Sequence, residues 1–343
     1  MRLLVYADLQ AHDGDDRCFN QPTTSLQIHR VRKFYADLQR IYDEHKCDGL
    51  IDLGDTTDDR SAIPVPVINE VMSGLEPYEG GDFNFKLIGN HEQFLRDTSV
   101  DSGRMYRNIF RVVNQRAVLE HENVVYIFAS YPDDHAKLAA WLDQVGRKYK
   151  DKTTILFGHF QAVGATLNSG QTLLGVPRET VDRFRLTLLG HIHLPQTLGS
   201  RIHYVGSPFQ QNWGEALQEK RVAILNTDTL ACTWITLSGY PRYVEAPLAV
   251  FQANFKPESE DRWKVVLSSH AETETFFTHP YAARAEAVYN YTVNESAPED
   301  ESLGARDWSF EASLRHWVAT VPPPPGELPT EELLAIGQQL ANG

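Results

Sequence analysis

A chain of 343 residues, 42% hydrophobic and 23% charged, is a globular protein able to bury a sizeable core, as one large domain with a smaller one or a tail. Its formal net charge of −14 argues against a basic surface that clamps nucleic acid by counterion release, although bound divalent cations or a partner would invert the field locally. No apolar run approaches bilayer length, the N-terminal segment turns acidic at Asp8 too soon for a secretory signal, and Cys18, Cys47 and Cys232 lack ligand-like spacing, which points to free thiols in a reducing cytoplasm.

In chain order, residues 2–7 read as a hydrophobic strand ending at Asp8, followed by Leu9-Gln10-Ala11-His12 and a polar loop. Residues 26–46 repeat apolar side chains at helical spacing (Ile28, Val31, Phe34, Leu38, Ile41, Tyr42). A buried strand over 49–53 runs into Gly54-Asp55. A helix is expected over 62–75 despite Pro64 and Pro66, and a strand over 83–88 runs into Gly89-Asn90-His91-Glu92. A strand over 124–129, a helix over 133–148 and a strand over 153–157 ending at Gly158-His159 follow. The apolar run 185–189 then ends in Gly190-His191-Ile192-His193. Beyond it, 201–205, 220–225 and 232–237 read as short strands of a second sheet packed on the first. Past Tyr243, strands over 263–269 and 287–293 and a helix over 308–321 indicate a small α+β cap. Residues 322–325 form a stiff proline spacer, and 330–340 an amphipathic helix with Thr330 as its cap.

Five apolar strands thus run into Asp, Gly-Asp, Gly-Asn-His, Gly-His or Gly-His-x-His. In layered α/β proteins ligands sit beyond the carboxyl ends of strands, and glycine there lets the backbone turn sharply and approach what is bound. Gly54-Asp55 alone is as well explained as an ordinary strand-ending turn; a series in which every member ends on a metal-competent side chain is not. His191 and His193, two apart, would face one point if the chain stays extended. Carboxylate, amide and imidazole donors without cysteine suit manganese or magnesium. Two such ions sharing a bridging carboxylate would lower the pKa of a water and neutralise charge on a phosphoryl oxygen. A further histidine that is not a ligand would donate a hydrogen bond or proton to the departing oxygen.

These motifs, in this order and each after a strand, resemble those of the calcineurin-like metallophosphoesterases. The resemblance covers residues 1–240, with a cap over 241–321 and a linker and helix over 322–343. It implies a two-sheet βαβ sandwich of α/β class. By the same resemblance Asp55 bridges two divalent ions, most simply Mn2+ with Mg2+ as the alternative. Asp8 and His193 complete one ion; Asn90, His159 and His191 complete the other. His91 acts on the transition state or leaving group, and Asp58 lies behind the ligands. The family's first motif is Asp-x-His, whereas here it is Asp8-Leu9-Gln10. Either the Gln10 carbonyl or His12, two residues on, would replace the imidazole, and for His12 an exposed loop histidine is the competing reading. Tyr204 to Pro208 with Trp213-Gly214-Glu215 is similar to the segment closing the nuclease domain of SbcD-type DNA repair and phage recombination nucleases. That likeness implies a Mn-dependent DNA exonuclease, possessing or lacking endonuclease activity. It also implies a cap that contacts DNA, a homodimer, and a C-terminal helix docked on an SbcC-like coiled-coil ATPase. The alternatives are a phosphoesterase acting on a small phosphodiester or phosphoprotein, and a non-catalytic scaffold supported only by Gln10. Phe209 and Trp213 are expected to pack rather than stack on bases.

Overall fold

The computed structural model describes residues 1–14, 16–94, 100–167, 170–171 and 174–290, all within the first of two units, Met1–Tyr291. The expected helices over 308–321 and 330–340 and the proline spacer lie outside the described residues.

One six-stranded sheet is built on β1 (Arg2–Tyr6), β2 (Gly49–Asp52), β3 (Phe85–Leu87) and β4 (Arg111–Val113), which run parallel. The other contains β5 (Arg116–His121), β6 (Val124–Ala129), β7 (Thr153–His159), β8 (Leu186–Gly190), β9 (Gln196–Leu198) and β10 (Ile202–Tyr204), with β6, β7, β8 and β10 parallel. Alternation along β1 explains its unbroken apolar run. Leu3 and Val5 enter the core between the sheets, while Leu4 and Tyr6 meet the helices outside. Phe85, Phe128 and Phe157 stack through the inter-sheet core, with centroids 4.4 and 5.5 Å apart. Helices α1 (Leu26–Glu44) and α2 (Val65–Leu75) cover the first sheet; α3 (His135–Lys148) and the short α4 (Arg178–Val181) cover the second.

Local chemistry sets the helix ends. The Ser25 side chain accepts from the Ile28 N–H to start α1, and Asp134 accepts from Ala136 and Lys137 to start α3. α2 begins at Val65, three residues later than the expected 62, because Pro64 is the cap and Pro66 falls in the first turn, where a missing N–H costs nothing.

The segments 201–205, 220–225 and 232–237 do not form one second sheet. β10 joins the β5–β9 sheet beside β8, whereas β11 (Lys220–Asn226) and β12 (Cys232–Leu237) extend the first sheet, β11 lying antiparallel to β1. The residues between β10 and β11 therefore cross from one sheet to the other. The residues after β12 form a third, three-stranded sheet within the same compact unit, called the small domain below, and it departs from the expected α+β form. β13 (Tyr243–Pro247), α5 (Leu248–Asn254), β14 (Arg262–Leu267), α6 (His270–Thr278) and β15 (Ala285–Tyr289) alternate, and the strands are parallel. Parallel neighbours need a crossover, which the two helices supply. Among the described residues no helix is long and apolar enough to cross a membrane, and Cys18, Cys47 and Cys232 are free thiols.

Candidate metal centre

The segments following β1, β2, β3, β7 and β8 meet at one edge of the sandwich, and their side chains stitch the two sheets together. Asp8, after β1, accepts from the His191 backbone N–H at 2.9 and 3.0 Å through its two oxygens. Nδ1 of His159, the last residue of β7, lies 2.7 Å from the Leu53 carbonyl after β2. Asn90 Oδ1 lies 2.7 Å from His191 Nδ1, and the His91 backbone N–H donates to Asp55 Oδ1 at 2.8 Å.

The backbone is bent to make this convergence. Asp8, Gln10, Asp55 and His191 hold φ of 53°, 43°, 56° and 81°. Such a conformation costs a residue with a side chain about 1–3 kcal/mol and is retained where the surroundings over-determine it. At His191 the chain is therefore not extended, and His191 and His193 do not converge simply by alternation. Two glycines are sterically required. A Cβ on Gly54, itself at φ +104°, would lie 2.8 Å from both Gly89 N and His159 Nδ1; a Cβ on Gly89 would collide with Asp55 Oδ1 and lie 2.6 Å from Asp55 N.

Asp55, His159 and His191 each offer a ligand atom, all within 4.8 Å of one another. His159 is fully buried. With Nδ1–H donated to Leu53, its Nε2 faces Asp55 Oδ2 at 3.2 Å yet makes no hydrogen bond. Two acceptors facing each other in a buried site require a cation between them, either a proton or a metal ion. The electrostatics agree. Burial disfavours the charged form of each, but their attraction outweighs it, raising the imidazole's pKa and holding the carboxyl well below the usual range. Burial, with His159⁺ beside it, pushes His191 down to about 3, so that ring is neutral and available as a ligand. Burial raises the Asp8 pKa, against the pull of His159 and His193. The donor set thus fits a divalent cation at Asp55, with Asp8 and His193 in mutual electrostatic range beside it.

Of the other expected residues, Asn90 touches His191, and Gln10 uses its backbone N–H to donate to the Asp55 carbonyl at 2.8 Å. His12 is half-buried and feels Asp58, Arg30 and Asp13. His91 Nδ1 lies 2.8 Å from the Asp58 carbonyl and 3.0 Å from its carboxylate. That bond to Asp58 outweighs burial and raises His91 to about 9. It also commits Nδ1 and leaves Nε2 as the other ring nitrogen of a side chain 29% exposed.

The supporting carboxylates were not legible as such. Glu92 is buried and accepts from the N–H groups of Asp55, Thr56 and Gly89 at 3.1, 3.0 and 2.9 Å, tying the second and third motifs together. Beneath it the buried Lys86 ammonium lies 2.6 Å from Glu92 and 2.9 Å from Asp52. The one available signal was a lysine inside an apolar strand. Replacing Lys86 with methionine leaves two buried carboxylates without their cation. We expect urea denaturation to show a loss of about 3–5 kcal/mol. Glu215 is the other, its Oε1 2.7 Å from His193 Nδ1. Phe209 and Trp213 do pack, Phe209 stacking on Tyr240 and Trp213 meeting Tyr243 edge-on.

A putative phosphoesterase, 078R, of Invertebrate iridescent virus 3 is 22% identical over 208 residues, which is 58% of this chain and 58% of that relative. The chain thus matches little more than half the relative's length. Among solved structures, a dimetal phosphatase from Danio rerio aligns at 12% identity and a TM-score of 0.40, over 69% of this chain and 99% of its own. The phosphoesterase Yfce from E. coli aligns at 12% and 0.33, over 69% and 100%. The nuclease MPE of Pseudomonas putida aligns at 16% and 0.28, over 67% and 87%. The family model described as calcineurin-like phosphoesterase matches residues 1–195, which hold every strand-end motif above, and the chain belongs to that family.

Proposed function

We propose that this protein is a two-metal phosphodiesterase acting on DNA. The observation that carries the metal-dependent reading is the buried His159 Nε2, aimed at the Asp55 carboxylate with no hydrogen bond between them and His191 alongside. In this reading Asp55 would be shared by two ions, Asp8 and His193 would hold one, and Asn90, His159 and His191 would hold the other. When bound, divalent ions supply a water of lowered pKa and offset charge on the phosphoryl oxygens; the oxygen and nitrogen donors suit Mn2+ or Mg2+.

The chain's own residues do the rest. Glu92 and Gly89 hold the Asp55 loop in place. Asp58 orients His91 and stabilises its protonated form, so that below about pH 9 Nε2–H is a donor to the departing oxygen. DNA as substrate, exonucleolytic action, a homodimer and a coiled-coil ATPase docked through residues 322–343 are supported by the likeness of the 204–215 segment to SbcD-type nucleases. The net charge of −14 favours a second reading, a phosphoesterase of small phosphodiesters. An end-labelled duplex incubated with Mn2+ discriminates them. We expect stepwise release of nucleotides, abolished by chelation and restored by added Mn2+. Hydrolysis of a chromogenic small diester with intact DNA would overturn the nuclease reading, and chelator-resistant cleavage would overturn the metal reading.

A further inference from the structure

The residues that cross from β10 to β11 form a strap with two attachments. On one side it holds the metal centre. Glu215 is fully buried, and its Oε1 receives the His193 Nδ1–H at 2.7 Å, which fixes the tautomer and leaves Nε2 as the ring's acceptor, with Asp8 in electrostatic range. Its Oε2 lies 2.6 Å from Lys220 Nζ, and the same ammonium donates to the His193 backbone carbonyl at 3.0 Å. His193 is thus gripped at ring and backbone by one buried ion pair. Gln211 adds a bond from Nε2 to the Leu9 carbonyl at 3.0 Å, in the loop that carries Asp8.

On the other side the strap is clasped by the small domain. Gln210 Oε1 accepts from the Tyr243 backbone N–H at 2.8 Å, at the start of β13. The Trp213 ring lies in the same turn as Glu215. Tyr243 meets that ring edge-on with centroids 5.0 Å apart, and Lys264 Nζ, on β14, sits 4.5 Å from its centre. The two residues that matter, Trp213 and Glu215, are separated by one glycine in a single 3-10 turn, so the turn moves as a unit.

We propose that Glu215 is a positioning residue for the Asp8–His193 half of the metal centre, and that Trp213 conveys the seating of the small domain to it. Neither residue is hydrogen-bonded to Asp55, His159 or His191; the two halves of the centre are joined through the Asp8 carboxylate, which accepts from the His191 backbone N–H. The inference rests on the two-ion reading above. A residue that orients a ligating histidine through its second nitrogen typically governs metal affinity 10- to 100-fold.

The test is Mn2+ binding to the full chain by calorimetry, with spin counting by electron paramagnetic resonance, alongside melting of the metal-free protein. Wild type is expected to bind two ions. Glu215→Gln should keep one at wild-type affinity and weaken the other by about 10- to 100-fold. Glu215→Asp keeps a carboxylate against Lys220 but withdraws it from His193, and should show the same selective loss if Glu215→Gln does not fold. Trp213→Ala should weaken the same ion several-fold. Wild-type binding of both ions by the Glu215 variants would overturn the positioning role, as would equal weakening of both ions with a lowered melting temperature. Wild-type binding by Trp213→Ala would overturn the link to the small domain. A wild-type protein that binds no Mn2+ would overturn the two-ion reading itself.

Discussion

Under the proposed function, His91→Ala is expected to lower phosphodiester cleavage by about 10²–10⁴-fold in kcat, the usual worth of a positioned proton donor, with metal binding unchanged. The side chain is partly exposed, its Nδ1 is spent on Asp58, and the ring shares no hydrogen bond with the Asp55–His159–His191 cluster. Only its backbone N–H, which alanine retains, reaches Asp55. Single-turnover cleavage together with Mn2+ titration separates the possibilities. Unchanged cleavage would remove His91 from the chemistry, and loss of an ion would make it a ligand instead. Asp58→Asn should give an intermediate loss, because it removes the charge that keeps the His91 proton in place but not the backbone carbonyl that also accepts from Nδ1.

Gly89→Ala is expected to abolish most activity, by at least about 100-fold, although it adds only a methyl group at a residue that ligates nothing. The new Cβ would collide with Asp55 Oδ1, and Asp55 N, 2.6 Å from it, leaves the carboxylate no room to retreat. The Asp55 loop must then move, breaking the bonds that Glu92 makes to Asp55 and Gly89. A displacement of about 1 Å at a catalytic group is enough for a loss of this size. The ions should be affected with the activity, so Mn2+ titration of the variant should show weakened binding at Asp55. Retained cleavage with two tightly bound ions would show that the loop has slack the structure does not suggest.

How much of this was legible in the amino-acid order follows from the range of the interactions involved. Strands that are buried on both faces must be apolar throughout, so β1, β2, β7 and β8 stand out locally, and the polar groups at their carboxyl ends stand out with them. The edge strands β4, β5 and β9, with their polar and exposed positions, carry no such mark. Parallel order puts Asp55 at the end of β2 in one sheet and His159 and His191 at the ends of β7 and β8 in the other, and the packing of the two sheets brings the three together.

What only the tertiary structure decided is which groups answer one another across the chain. β11 could have paired with β10, its near neighbour in sequence, but takes the free edge of β1 instead, and no local pattern records that choice. The parallel order of β13, β14 and β15 is set by crossovers rather than by the strands' own alternation. The left-handed turns at Asp8, Asp55 and His191, and the buried pairings of Lys86 with Glu92 and of His193 with Glu215, exist because residues 6 to 183 positions apart meet at one sheet edge. Apolar periodicity is a property of neighbours in sequence, whereas a buried charge is stable only against a partner that the folded chain delivers.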